Sequence, residues 1–198
     1  MDQILFVSAC VRPYSRTHEL AKYVVDHLGG HVEKLHLYDE SIPPLDLNGM
    51  QQRDDAVRAG DLSSPILRYA QQFAQADTIV VAAPYWDLLF PAVVRAYFEA
   101  ITVTGVTFRY SPEGFPIGLC RAKKLIYITT AGGPIGEYNL GFDYIKALSQ
   151  LYFHIPDVVC FSAEGLDIVG ADVPALMAQA KETVDRHFAR SAGKEESI

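Results

Sequence analysis

Short apolar runs recur along the chain at intervals that leave room for one helix between each pair. QILFV (3–7), TIVVAA (78–83), KKLIYIT (123–129) and DVVCFSA (157–163) are rich in β-branched residues and carry little polar alternation. That is the pattern of strands buried on both faces. HVEKLHLY (31–38), with Val32, Leu35 and Leu37, is a fifth and less regular candidate. Between them, Leu20, Val24 and Leu28 recur at helical spacing, with Ala21 and Val25 beside them. Segments near 65–76, 91–103, 141–153 and 172–190 also read as helices, and Pro91 and Pro174 suit first turns. Strands alternating with helices predict an α/β fold: a doubly wound, five-stranded parallel sheet with helices on both faces.

Bulk composition restricts the function. A chain of 198 residues with 49% hydrophobic and 21% charged residues is long enough to bury a full core without metal or disulfide staples. A single domain over 1–190 is expected, with SAGKEESI (191–198) as a frayed tail. The net charge of −7 argues against nucleic acid or an anionic membrane as partner. No apolar stretch reaches membrane-spanning length, and the first apolar run ends at the polar Ser8, unlike a signal peptide. The three cysteines, at 10, 120 and 160, form no paired spacing and suit a reducing cytoplasm. No metal is expected: His31 and His36 are an odd number of residues apart on a strand and face opposite ways.

Five parallel strands favour the order 2-1-3-4-5, in which ligands bind beyond the carboxyl ends of the strands, at the switch point between the first and third. That rule selects three loops. SACVRPYSRT (8–17) offers Ser8, Ser15, Arg16 and Thr17 at a helix start, where amides and hydroxyls attract phosphate; Ser15 or Thr17 could equally be a simple helix cap. PYWDLL (84–89) places Tyr85, Trp86, Asp87 and Leu88 after a buried strand, as walls for a flat aromatic ligand or as ordinary packing. TTAGG (129–133) sets Gly132 and Gly133 after Thr130 and Ala131, for close backbone approach or left-handed turns. The helix after Pro91, AVVRAYFEAITVTG, is apolar on nearly every face, as in an oligomer interface or beneath a covering insert.

At this level the chain resembles the FMN-dependent azoreductases, NADH:quinone oxidoreductases of the flavodoxin-like superfamily. YSRTHEL is similar to their Y-S-x-[ST]-x-x-L phosphate loop, and APYWDLLFPAVVRAYFEAITVTGVTFRY to their A-P-M-Y-N-F-x-x-P-x-x-L-K stretch and its sequel. GVTFRYSPEGFPIGL and KKLIYITTAGG are similar to G-V-T-F-x-Y, G-x-x-G-L and K-K-x-x-x-I-T-S-x-G-G. The resemblance implies a flavodoxin-like fold and a homodimer with FMN bound near the interface. It places Ser8, Ser15, Arg16 and Thr17 on the FMN phosphate, and Pro84, Tyr85, Trp86, Asp87 and Leu88 along the ring edge. Thr130, Ala131, Gly132 and Gly133 would meet the pyrimidine end, with Tyr110 and Phe153 walling the substrate pocket. It implies a ping-pong cycle from NADH or NADPH to a small aromatic acceptor, a quinone or azo compound, with the chemistry on FMN and no catalytic side chain. Two departures stand out: Trp86-Asp87 replaces a Tyr-Asn pair, and Ala131 replaces an arginine or similar residue. Asp87 is expected to offer its backbone amide and turn its carboxylate away, since a nearby negative charge disfavours an anionic reduced ring.

Two other functions compete. Cys10, five residues, then Arg16 and Thr17 fits the signature of low-molecular-weight cysteine phosphatases, although Pro13 removes an amide that a phosphate-ringing loop needs. A flavodoxin-like FMN electron carrier would bind the same cofactor without oxidising NAD(P)H.

Overall fold

A computed structural model describes the backbone of residues 1–195 and the side chains of residues 1–190. Five parallel strands, β1 (Gln3–Ser8), β2 (His31–His36), β3 (Thr78–Ala82), β6 (Lys124–Thr130) and β7 (Asp157–Ala163), form a sheet in the order β2-β1-β3-β6-β7. Counting only these strands, that is the expected order 2-1-3-4-5, with its switch point between β1 and β3. A short antiparallel hairpin, β4 (Phe108–Tyr110) and β5 (Pro116–Gly118), fills the long insert before β6.

The strands read as unbroken apolar runs because both faces are covered, and the period of two sorts alternate residues to opposite cores. Leu5, Val7, Ile79, Val81, Leu125 and Tyr127 face one side, against α3 (Arg68–Gln75), α4 (Ala92–Ile101) and α5 (Leu140–Leu148). Ile4, Phe6, Val80, Ala82, Ile126 and Ile128 face the other, against α1 (Arg16–Leu28) and α6 (Val173–Glu195). On α1 Leu20, Ala21, Val24 and Val25 of the predicted stripe are buried, and Leu28 is half-buried against the same core. The last helix is assigned through Glu195, inside the segment expected to fray; residues 196–198 lie outside the described residues.

Two elements differ from expectation, and for a third the structure favours one of two alternatives. A helix α2 (Leu47–Ala59) forms where none is predicted. It buries no residue, so it has no apolar stripe to announce it, but Asp46 caps its start by accepting from the Gly49 amide at 2.7 Å. Gly60 ends it in the left-handed conformation, φ 69°. The helix expected over 141–153 is helical to Leu148 and continues as one π turn, Ser149–Phe153, which stops at His154 with φ 53°. The apolar helix α4 is not left bare as an oligomer face. Val94, Ala96, Tyr97, Phe98 and Ile101 are buried within this chain, and Tyr144 of α5 packs edge-on against Phe98 at 5.9 Å. Intramolecular burial therefore accounts for its composition.

Candidate functional site

The carboxyl ends of β1, β3, β6 and β7 release four loops onto one rim, and a cleft of about 380 Å³ lies among them. That volume falls within the roughly 300–1,000 Å³ usual for small-molecule sites. The loops are tied together by backbone hydrogen bonds that continue the ladder beyond the strands. Tyr85 donates to the Thr130 carbonyl at 3.0 Å, Ala131 to Ala163 at 3.0 Å and Asp167 to Gly132 at 2.9 Å. The Tyr85 hydroxyl also reaches the Tyr138 carbonyl at 3.0 Å. A rim braced in this way holds its shape before any ligand arrives.

One end of the cleft is the N-terminus of α1. Ser15 is its cap residue, and its hydroxyl accepts from the His18 amide at 3.2 Å. That bond uses an oxygen lone pair, so the Ser15 O–H remains a donor. Helix geometry leaves the Arg16 and Thr17 amides without intrahelical acceptors, and the helix dipole adds partial positive charge there. The two readings of Ser15 thus coexist: it caps the helix and lines the cleft. Thr17, 1% exposed, shares a 2.6 Å hydrogen bond with Thr130, locking α1 to the end of β6.

The guanidinium of Arg16 is already partnered. Its Nη1 donates to Asp167 Oδ1 at 2.9 Å and to the Leu166 carbonyl at 3.1 Å. Asp167 and Leu166 arrive on the loop after β7, and Val11, Arg12 and Tyr14 also line the cleft. None of these five is among the residues expected from sequence. Arg12 was legible as a second cation in the first loop; Asp167, 151 residues from Arg16, carried no local signal.

The far side is formed by Pro84, Tyr85 and Trp86, facing Thr130, Ala131 and Gly132. Trp86 and Leu89 exchange both backbone hydrogen bonds, at 3.0 and 2.8 Å, around Asp87 (φ 51°) and Leu88 (φ 70°). This is a two-residue turn with both central residues left-handed, a strain that leucine bears poorly. The turn lifts Asp87 and Leu88 into solvent, outside the cleft lining. Gly132 and Gly133 are not left-handed. Gly132 is crowded by a side chain instead: a Cβ there would stand 2.4 Å from Asp167 Oδ2 and would have to displace that carboxylate, whereas at Gly133 it would meet nothing within 4 Å.

Other expected residues lie elsewhere. Ser8 is buried beneath the first loop, where its hydroxyl accepts from the Cys10 amide at 3.4 Å. Tyr110 is half exposed on β4, edge-on to Phe108, and hydrogen-bonded to Tyr152. Phe153 corrects the sequence reading. Its ring is fully buried and packs on Phe73 at 4.9 Å, because the π turn rotates it toward the sheet. It does not line the rim cleft.

The geometry removes the phosphatase reading. Cys10 is 5% exposed, does not line the cleft, and directs its thiol at the Ala82 carbonyl. Burial pushes its pKa up, outweighing the Ser15 and Ser8 hydrogen bonds that pull it down. A catalytic thiolate needs the opposite shift.

Comparison with known proteins agrees with this geometry. Residues 2–188 match the family described by its flavodoxin-like fold. An FMN-dependent NADH:quinone oxidoreductase of Lachnoclostridium phytofermentans is 38% identical, covering 92% of this chain and 96% of its own. A second such protein from Clostridium acetobutylicum is 34% identical over 89% and 93%. Among solved structures, an azoreductase from Bacillus anthracis superposes with a TM-score of 0.82 at 23% identity, covering 96% of this chain and all of its own. An FMN-dependent NADH-azoreductase of that species, solved with FMN, gives 0.76 at 20% identity over 97% of this chain and all of its own. No described helix is long and apolar enough to cross a membrane. With the fold, the cleft at the switch point and these relatives in agreement, the chain belongs to the flavodoxin-like family of FMN-dependent NADH:quinone oxidoreductases.

Proposed function

We propose that this chain holds one FMN in the rim cleft and passes two electrons from NADH to a quinone or azo compound in a ping-pong cycle. The observation that carries this reading is the polarity gradient of the cleft. One end is a capped helix N-terminus with hydroxyls, and the other is a slot between an indole and a strand-end backbone. An elongated ligand with a phosphate tail and a flat head fits both ends.

The Ser15 hydroxyl and the Arg16 and Thr17 amides would hold the phosphate, with Arg12 as a nearby cation. Pro84, Tyr85 and Trp86 would line the ring edge, and Thr130, Ala131 and Gly132 its polar end, with Gly133, Asp87 and Leu88 contributing backbone only. Ser8 would act from beneath, by shaping the loop. Bound there, FMN supplies the two-electron chemistry, taking electrons from a donor and giving them to an acceptor that use the same face in turn. The residues of the chain bind, orient and exclude water. Among the described residues neither a thiol nor a histidine lines the cleft, and its hydroxyls are read here as hydrogen-bond donors to the ligand.

A homodimer completes the proposal. Trp86, Leu88, Leu89, Tyr138 and Leu140 are all more than a third exposed around the cleft mouth. A second copy would cover them, and Tyr110 would then wall the acceptor site. The three unpaired cysteines suit a reducing cytoplasm.

The deciding experiment is the visible spectrum of the purified protein after incubation with FMN and desalting. A retained flavin band that NADH bleaches and a quinone restores supports the enzyme. Retained flavin that neither NADH nor NADPH bleaches means an electron carrier, and no retained flavin refutes the cofactor. A monomer by light scattering refutes the dimer.

A further inference from the structure

We propose a second small-molecule site, separate from the rim cleft, that takes a compact organic acid: one carboxylate on an aromatic or branched aliphatic body. It is a cavity of about 310 Å³ between the connection 41–46, the start of α2, the 3-10 turn Pro65–Leu67 and α4. It shares no lining residue with the cleft.

Its walls are apolar, set by Ile42, Pro44, Leu45, Pro65, Ile66 and Ala100. Arg53 of α2 also lines it, with a side chain only 17% exposed. Arg53 Nε is buried and has no hydrogen-bond partner. The nearest carboxylate oxygen, Asp54 Oδ1, is 3.7 Å away on a side chain 56% exposed, too far for a hydrogen bond. A shielded guanidinium N–H without an acceptor is costly, and a carboxylate meets a planar guanidinium fork with two parallel bonds.

The other charged groups in the lining are committed. Arg68 Nη2 donates to Glu40 Oε2 and lies against the Tyr69 hydroxyl, which itself donates to Glu40 Oε2 at 2.8 Å. Asp46 Oδ1 accepts the Gly49 amide as the cap of α2. Arg53, whose ion partner Asp54 is exposed and beyond hydrogen-bond reach of its Nε, is therefore the lining cation open to a second anion. A bare inorganic anion would satisfy Arg53 and leave the proline and isoleucine walls facing water, so the ligand needs an apolar body.

Occupancy has a mechanical consequence. Helix α2 buries no residue of its own and rests on the core through Ala56 and Val57, against a small cluster of Leu67, Ala70, Val103 and Val106. A ligand bridging Arg53 to Ile66 and Ala100 pins α2 to the body of the domain. Local opening of α2 then becomes rarer, and its amides exchange more slowly.

The test titrates the full chain, with FMN in excess so that the cleft is competed, with benzoate, cyclohexanecarboxylate and neutral benzyl alcohol by calorimetry. Hydrogen exchange is followed in parallel. Saturable one-to-one binding of the acids is expected, at least tenfold weaker for benzyl alcohol and at least tenfold weaker for the acids in Arg53→Gln. Protection should rise in 47–59. Ala100→Phe, which fills the cavity from the opposite wall, should abolish binding while leaving Arg53 intact, and circular dichroism verifies that both variants fold. No saturable binding overturns the proposal, as does equal affinity in Arg53→Gln, or binding that excess FMN abolishes. The outcome is independent of the flavin assignment, which the visible spectrum tests separately.

Discussion

Asp167→Asn is expected to tighten FMN binding while slightly destabilising the protein, an opposition that follows from where Asp167 stands. Its carboxylate holds Arg16 at 2.9 Å, but the two side chains are 67% and 40% exposed. An ion pair that open contributes about 0.2–1 kcal/mol to stability. The same carboxylate lies in the cleft that receives the phosphate under the proposed function, and it occupies the guanidinium nearest the α1 N-terminus. Two like charges 4 Å apart repel by about 1 kcal/mol in bulk water and about 4 kcal/mol at the effective dielectric of a protein surface. At the greater separation the cleft permits, about 0.7–1.4 kcal/mol survives, a tightening of roughly three- to tenfold. The asparagine keeps the shape and can still accept from Arg16, so the fold should lose no more than about 1 kcal/mol. Flavin fluorescence quenching at low salt measures the affinity, and the gain should shrink at physiological ionic strength, where screening acts over about 8 Å. In an Arg16→Gln background the gain should be smaller, because a guanidinium held more weakly by a neutral asparagine carries part of it. Weaker FMN binding in Asp167→Asn, or the same gain with and without Arg16, would refute the reasoning.

Gly118→Ala places a Cβ 2.3 Å from the Phe153 carbonyl oxygen and 2.7 Å from the His154 amide. Both are backbone atoms that cannot swing aside, so a loss of about 3 kcal/mol is expected by urea denaturation; a change under about 0.5 kcal/mol would show that the π turn yields freely. Asp87→Asn should move the two-electron midpoint potential by less than about 30 mV, since its carboxylate lies outside the cleft; a larger rise, worth more than about 1.4 kcal/mol, would place that charge against the ring. Stability should fall at alkaline pH. Burial pushes Cys120 and Cys160 up to about 12, against 9.0 for an ordinary thiol. A raised folded pKa gives stability that is complete below pH 9 and is lost as pH climbs toward 12. At pH 10 each thiol accounts for about 1–2 kcal/mol of loss. Cys160→Ala should flatten the decline between pH 8 and 10, and an unchanged slope would falsify the assignment.

The sequence by itself determined the sheet, the helices with apolar stripes and the rim on which function sits. Alternate residues of runs such as TIVVA serve opposite cores, and that periodicity is written locally in every strand. The capped start of α1 was equally local, since Ser15 and the amides after it are neighbours in the chain. Helix α2 was legible only through Asp46 and Gly60, because a helix that buries nothing has no hydrophobic period. The inward ring of Phe153, the left-handed pair Asp87-Leu88 and the crowding at Gly132 waited for the backbone path. So did the partner of Arg16 and the Nε of Arg53 that lacks a hydrogen bond. Local pattern records which residues leave water, because burial is a property of each position. Which charge meets which is decided only when distant loops converge, and that convergence belongs to the tertiary structure alone.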